Sequence, residues 1–149
     1  MKSLLTLLAA AFLFVAPVSV ASADDVDRSD PVATAGAFLK VYKAKDPAAM
    51  APLMVEEAQG FLAEIAEQGE SHKGWNRVFG GWRMTAAEGW DGDLSEARFR
   101  DGMAVVKFAE MEGDEVAVIM LKKEGDTWGV EDINSPSPAD FEKLPKTPE

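Results

Sequence analysis

The stretch LSEARFRDGMAVVKFAEMEGDEVAVIMLKKEGDTWGVEDINSPSP, residues 94–138, decides the fold. From Leu94 the side chains alternate. Ala97 and Phe99 are set against Glu96, Arg98 and Arg100, a period of two that argues for a strand. Asp101-Gly102 is a turn dipeptide that joins hairpin strands. Met103 to Glu110 follows, with Ala104, Val106 and Phe108 on one face and Met103, Val105 and Lys107 on the other. Glu112-Gly113-Asp114 turns the chain again. Val116 to Lys123 is the most apolar run, which places it centrally. Glu124-Gly125-Asp126 leads into Thr127 to Ile133, and Ser135-Pro136-Ser137-Pro138 ends the run. Turns this short make neighbouring strands antiparallel, so the stretch is expected to be a meander. Trp128 and Val130 share a face, and Ile133 falls on the opposite one by strict alternation. A bulge or the end of the strand is therefore expected between them.

Upstream, the period changes to that of helices. Ser29 or Asp30 caps a helix with Pro31 in its first turn, where a missing N–H costs nothing. Val32, Ala35, Phe38, Leu39 and Tyr42 form its apolar face, and Lys40, Lys43 and Lys45 lie late in it. Asp46-Pro47 repeats the cap-then-proline pattern for a short helix limited by Pro52. Glu56 to Glu67 is a third helix with a stripe of Ala58, Phe61, Leu62 and Ile65, and Gly69 stops it. Between Ser71 and Asp93 five glycines punctuate three tryptophans, Trp75, Trp82 and Trp90. A short helix through Trp75, Val78 and Phe79, capped by Ser71, is expected there, then a strand from Trp82 to Glu88. Helices followed by an antiparallel sheet give an α+β fold. The helices should cover one face of a curved sheet and leave a cavity between the layers.

The first residues speak to compartment. Lys2 is the only charge before Asp24, Leu4 to Val20 is almost wholly apolar, and Ala21-Ser22-Ala23 is a small-residue cleavage site. This is the pattern of a secretory signal peptide, with cleavage expected after Ala23. The chain then divides into a leader at 1–23, a flexible polar tail at 24–29, one domain at 30–135 and a C-terminal tail at 136–149. Phe141 and Leu144 are the docking residues of that last tail. The 149 residues hold 26 Asp plus Glu against 15 Lys plus Arg, for a formal charge of −11. Loss of Lys2 with the leader makes the mature chain one unit more negative. Such a surface repels phosphate backbones and anionic lipid, which speaks against nucleic acid and, once the leader is gone, against membrane as partners. There is no Cys, hence no disulfide, thiolate metal site or thiol nucleophile. An exported chain held by its core alone suits a bacterial periplasm, so a periplasmic or secreted protein is expected.

Three features together resemble the cone-shaped fold of the nuclear transport factor 2-like superfamily, also called SnoaL-like or ketosteroid-isomerase-like. They are the helix from Pro31 to Lys45 followed at once by the one opened at Asp46-Pro47, the Asp101-Gly102 hairpin, and the closing Lys122-Lys123-Glu124-Gly125-Asp126-Thr127-Trp128-Gly129-Val130-Glu131-Asp132-Ile133. That ending is similar to the last hairpin of small secreted members, many of unknown function. The resemblance spans Ser29 to Ser135. It implies a cone fold, a cystatin-like roll of helices on a curved sheet. It also admits isomerases, dehydratases, binding modules and dimeric assembly domains that pair through their sheets, so it does not give the function.

The residues themselves assign no catalytic group. Isomerases of the superfamily use an Asp base with an acid and a Tyr as oxyanion donors in an apolar pocket. The only Tyr here is Tyr42, on the apolar face of the first helix, where it reads as a core ring with its hydroxyl at an edge. The only His is His72, in a stretch that reads as a solvated loop or helix start. No nucleophile elbow, phosphate loop or dinucleotide fingerprint is present, so no cofactor is implied. Asp91-Gly92-Asp93 begins like a calcium loop. It then places Glu96 where Gly is needed and Gly102 where Glu is needed, so no metal site is assigned. The tryptophans either plug the wide end of the core or line an apolar ligand pocket with Tyr42, where Arg77 or Arg83 anchors a carboxylate. The expected pocket is thus Tyr42, Trp75, Trp82, Arg83 and Trp90. The expected function is a non-enzymatic domain that binds a small apolar or amphipathic ligand, or a protein partner through the outer sheet face. The alternatives are an isomerase- or dehydratase-like enzyme with a carboxylate buried beside Tyr42 or His72, and a homodimeric assembly domain.

Overall fold

A computed structural model describes residues 25–149. The expected leader and its cleavage site lie outside the described residues. Helix α1 (Pro31–Lys43) starts where the sequence places it, with the Asp30 carboxylate accepting the Val32 N–H at 2.8 Å. Lys45 is not part of it. It sits at φ 54 in the link to α2 (Pro47–Met50), which Asp46 caps through the Ala49 N–H at 3.0 Å. A 3₁₀ turn (Ala51–Leu53) leads to α3 (Glu56–Gln68), which ends at Gly69. Of the stripe expected on α3, Leu62 and Ile65 are buried, while Phe61 is the one large apolar side chain left exposed among the described residues.

The region from 71 to 93 departs from expectation. A helix α4 (Trp75–Phe79) does form, but Gly74 rather than Ser71 occupies its cap position. Where a strand was expected from Trp82 to Glu88, the chain forms a helix, α5 (Gly81–Glu88). The reason is packing at a spacing of three. Met84 and Ala87 are buried against the core, whereas Trp82, Arg83 and Ala86 are half-buried. A strand would have alternated these, and Met84-Thr85-Ala86-Ala87-Glu88 holds only one β-branched residue to favour it.

The expected meander forms, although the alternation read from Leu94 becomes a strand only at Arg98. Strands β1 (Arg98–Arg100), β2 (Met103–Glu110), β3 (Val116–Glu124) and β4 (Thr127–Asn134) form one antiparallel sheet in the order β1-β2-β3-β4. The apolar β3 is interior. Asp101 and Gly102 take φ 50 and 76, the doubly left-handed geometry of a type I′ hairpin turn. The pairing steps from Met120↔Asp132 to Leu121↔Val130, which leaves Glu131 as an extra residue. This is the expected bulge. It turns Trp128, Val130 and Ile133 into the same buried cluster. Gly129 is needed for a different reason. A Cβ there would meet backbone atoms of Met54 and Val55 at 3.0–3.1 Å. Its absence lets the start of α3 close on β4, where the Val55 N–H donates to the Val130 carbonyl at 3.0 Å.

The molecule is thus α+β, with helices followed by a four-stranded antiparallel sheet. The main core lies between α1, α2, α3, α5 and the inner sheet face, around Phe38, Leu39, Ile65, Val106, Ile119 and Leu121. Both chain ends of the described region are tied to the sheet. Before α1, the Arg28 carbonyl accepts the Trp128 N–H at 2.7 Å, and its guanidinium donates to the Trp128 carbonyl at 3.0 Å. After β4, a short helix α6 (Pro138–Glu142) lies across the outer face. It buries Phe141 on Val105, Val116 and Val118. No helix among the described residues is long and apolar enough to cross a membrane.

Candidate functional site

The sheet bulge and the helix ends build a groove of about 530 Å³. Its floor is apolar: Phe38 from α1, Met50 and Met54 around the 3₁₀ turn, Leu62 from α3, and Val130 and Ile133 from β4. Phe61 stands at its edge. The rim carries Arg77 and Arg83 together with Glu57, Glu131 and Asp132. Arg83 is held in place. Its Nε donates to the Ile133 carbonyl at 2.9 Å, its guanidinium lies 5.0 Å from the Trp82 ring centre, and Asp132 is 3.6 Å from Nη2. One face of that guanidinium is therefore spoken for, while its side chain remains 41% exposed. The groove thus joins an apolar floor to a strongly charged rim.

Of the five residues expected to share a pocket, the structure brings only Tyr42 and Arg83 together here. The three tryptophans part company. Trp75 packs on Phe79 at 4.6 Å between ring centres. Trp82 carries the Arg83 guanidinium. Trp90 is buried on the far side of α1, where its indole N–H donates to the Asp93 carbonyl at 2.7 Å. The residues the sequence missed are Met50, Met54 and the bulge at Val130 to Ile133. Nothing in the sequence marked the methionines, whereas the bulge itself was foreseeable from the phase of Trp128, Val130 and Ile133.

Tyr42 is committed to structure. It is 2% exposed, stacks between Phe38 and Phe79, and donates its hydroxyl proton to the Val78 carbonyl at 2.7 Å. Burial pushes its pKa up to about 12, against a smaller opposing effect of Arg83. It has no second proton for a substrate oxygen. His72 is buried rather than solvated as expected. Its Nδ1 accepts the Gly74 N–H at 2.9 Å, and Phe61 meets the ring edge-on. The nearest carboxylate, Glu64, is 3.9 Å from Nε2 and well exposed. His72 therefore closes the turn before α4. An isomerase-type centre needs a carboxylate buried beside one of these two rings. Among the described residues no Asp or Glu is buried, so no such pair forms. Nor do three or more His, Asp or Glu side chains gather as a metal site among them. Comparisons of the chain with family models, with curated proteins and with solved structures returned no match.

Proposed function

We propose that this chain is an exported, non-enzymatic binding domain of the cone-fold kind, and that the groove under α3 holds a small apolar or amphipathic ligand. The observation that carries the reading is the pairing of an apolar floor with a guanidinium fixed at its rim by the Ile133 carbonyl and an exposed Asp132. Apolar surface there drives a chain or ring inward, and Arg83 faces the polar end. The order of helices, meander and bulged last strand supports the cone-fold part. The apolar leader with Ala21-Ser22-Ala23 supports export.

Displacement of the fluorescent probe 8-anilinonaphthalene-1-sulfonate by dodecanoate and by dodecanol tests the groove. Both should displace it from the native protein. Ala58→Phe, on the groove wall, should abolish both while leaving the circular dichroism intact. Arg83→Ala should weaken dodecanoate and spare dodecanol. Unchanged displacement in the Ala58 variant would sink the reading. Export is tested separately by the intact mass of the protein recovered outside the cytoplasm, which should begin at Asp24.

A further inference from the structure

A second groove, of about 750 Å³, runs along the other side of α1. Ala33 and Ala37 lie one turn apart on α1, on the side turned away from Tyr42 by helical spacing. With Leu53, Trp90 and Leu94 they make an apolar trough. Gly36 at its base leaves room for Leu94, whose Cδ1 lies 3.3 Å from where a Cβ would stand. The walls are mainly acidic. Asp25, Asp27, Asp30 and Asp46 line it, and Lys40 is the one cation among the lining residues. Asp27 accepts from the Ser29 N–H and hydroxyl, which holds its carboxyl below the usual range and keeps it ionised. The trough thus joins small side chains, which allow close approach, to carboxylates along its edges.

From this complementarity we infer that the α1 trough docks a basic amphipathic segment of a partner protein. Its apolar side chains lie on Ala33, Ala37 and Leu94, and its Lys or Arg residues face the aspartates. The strong net negative charge of the whole chain would steer such a partner and speed its arrival. This surface is independent of the groove under α3, and the two can be occupied together.

The probe is a Lys/Leu peptide of about 14 residues with leucines at helical spacing, roughly four turns, compared with a Lys/Ser peptide of the same length and charge. Binding is followed by calorimetry at low and moderate salt. The Leu peptide should bind and the Ser peptide should not. The double variant Asp30→Asn and Asp46→Asn keeps both helix caps, since Asn caps as well as Asp, yet removes two charges from the trough. It should weaken binding about tenfold, two contacts of under 1 kcal/mol each. Ala37→Lys should abolish binding, and Ala58→Phe should leave it unchanged. Asp114→Asn with Glu115→Gln removes the same charge at the β2–β3 turn and should do nothing. The inference is overturned by no binding of the Leu peptide, by equal binding of the Ser peptide, or by equal loss in both charge variants. The last two outcomes would mean general attraction to an acidic surface.

Discussion

The two faces of the sheet are held by different means. The inner face is one continuous apolar layer. Ala104, Val106, Ala117, Ile119, Leu121, Val130 and Ile133 are all buried against the helices. The outer face has a small cluster of Val105, Val116 and Val118 under a single ring, Phe141. A polar clasp from β1 completes it. Arg98 donates to the carbonyls of Glu142 and Leu144, at 3.3 and 3.0 Å, and to the Glu142 carboxylate at 2.7 Å. Its guanidinium carbon stands 5.5 Å from the Phe141 ring centre. The Phe99 N–H adds a bond to the Pro145 carbonyl, and Lys146 pairs with Glu96. The inner layer belongs to the main core, and the smaller outer clasp is expected to open separately from it. A partner or second copy approaching the outer sheet face meets α6 first.

The largest effect should come from the inner layer. Ile119→Ala leaves a cavity at a fully buried position on the interior strand and should cost about 4 kcal/mol, near the upper end for such truncations. Thermal or denaturant unfolding should show one cooperative transition moved to lower stability. Gly129→Ala comes next. The added methyl meets backbone of Met54 and Val55 that cannot swing aside, and overpacking of this kind costs about 2 kcal/mol. On the outer face, Phe141→Ala should behave differently in kind. Instead of leaving a cavity, α6 can detach, so the global cost should stay near 2 kcal/mol, below the usual cost of truncating a core Phe. Hydrogen exchange and limited proteolysis should rise from residue 137 onward while β2 and β3 stay protected. If Phe141→Ala unprotects β3 as strongly as Ile119→Ala does, the two faces are one cooperative unit and the distinction fails.

The same contrast explains what could be read from the sequence. The meander was legible because each strand shows one face to a dry layer, so Ala104, Val106, Ile119 and Leu121 keep a strict period. Asp101-Gly102 and Gly125 mark turns that few other residues make. The caps at Asp30 and Asp46 were legible because the chemistry is local. The segment from 71 to 93 was not. Its tryptophans suggested a shared pocket, but aromatic rings are as useful for plugging separate gaps, and two short helices and the link after them sent them three ways. Trp82 to Glu88 has no clean period at seven residues, so tertiary packing of Met84 and Ala87 decided it. His72 looked solvated among Glu70, Ser71 and Lys73, and only the fold shows it accepting the Gly74 N–H. The groove depends on Met50, Met54 and β4 meeting across a long stretch of sequence, which no local pattern encodes.

The smallest effect sharpens the contrast from the inner side. Tyr42→Phe removes one hydroxyl and one bond, to the Val78 carbonyl. It leaves that carbonyl unpaired and should cost about 1 kcal/mol at neutral pH. The pH dependence distinguishes it from a mere packing change. The folded-state pKa of Tyr42 is raised to about 12, against about 10 for an unfolded chain. The neutral form is favoured in the fold, so this contribution is complete below pH 10. It is lost as the pH rises from there toward the folded value, because the unfolded chain releases its proton first. Native protein should therefore lose stability above about pH 10, while Tyr42→Phe should fall less steeply over that window. The opening free energy read by exchange at β2 and β3, which follows global unfolding, should accordingly fall over this window, whereas that of the α6 clasp should not respond if the two faces are held independently.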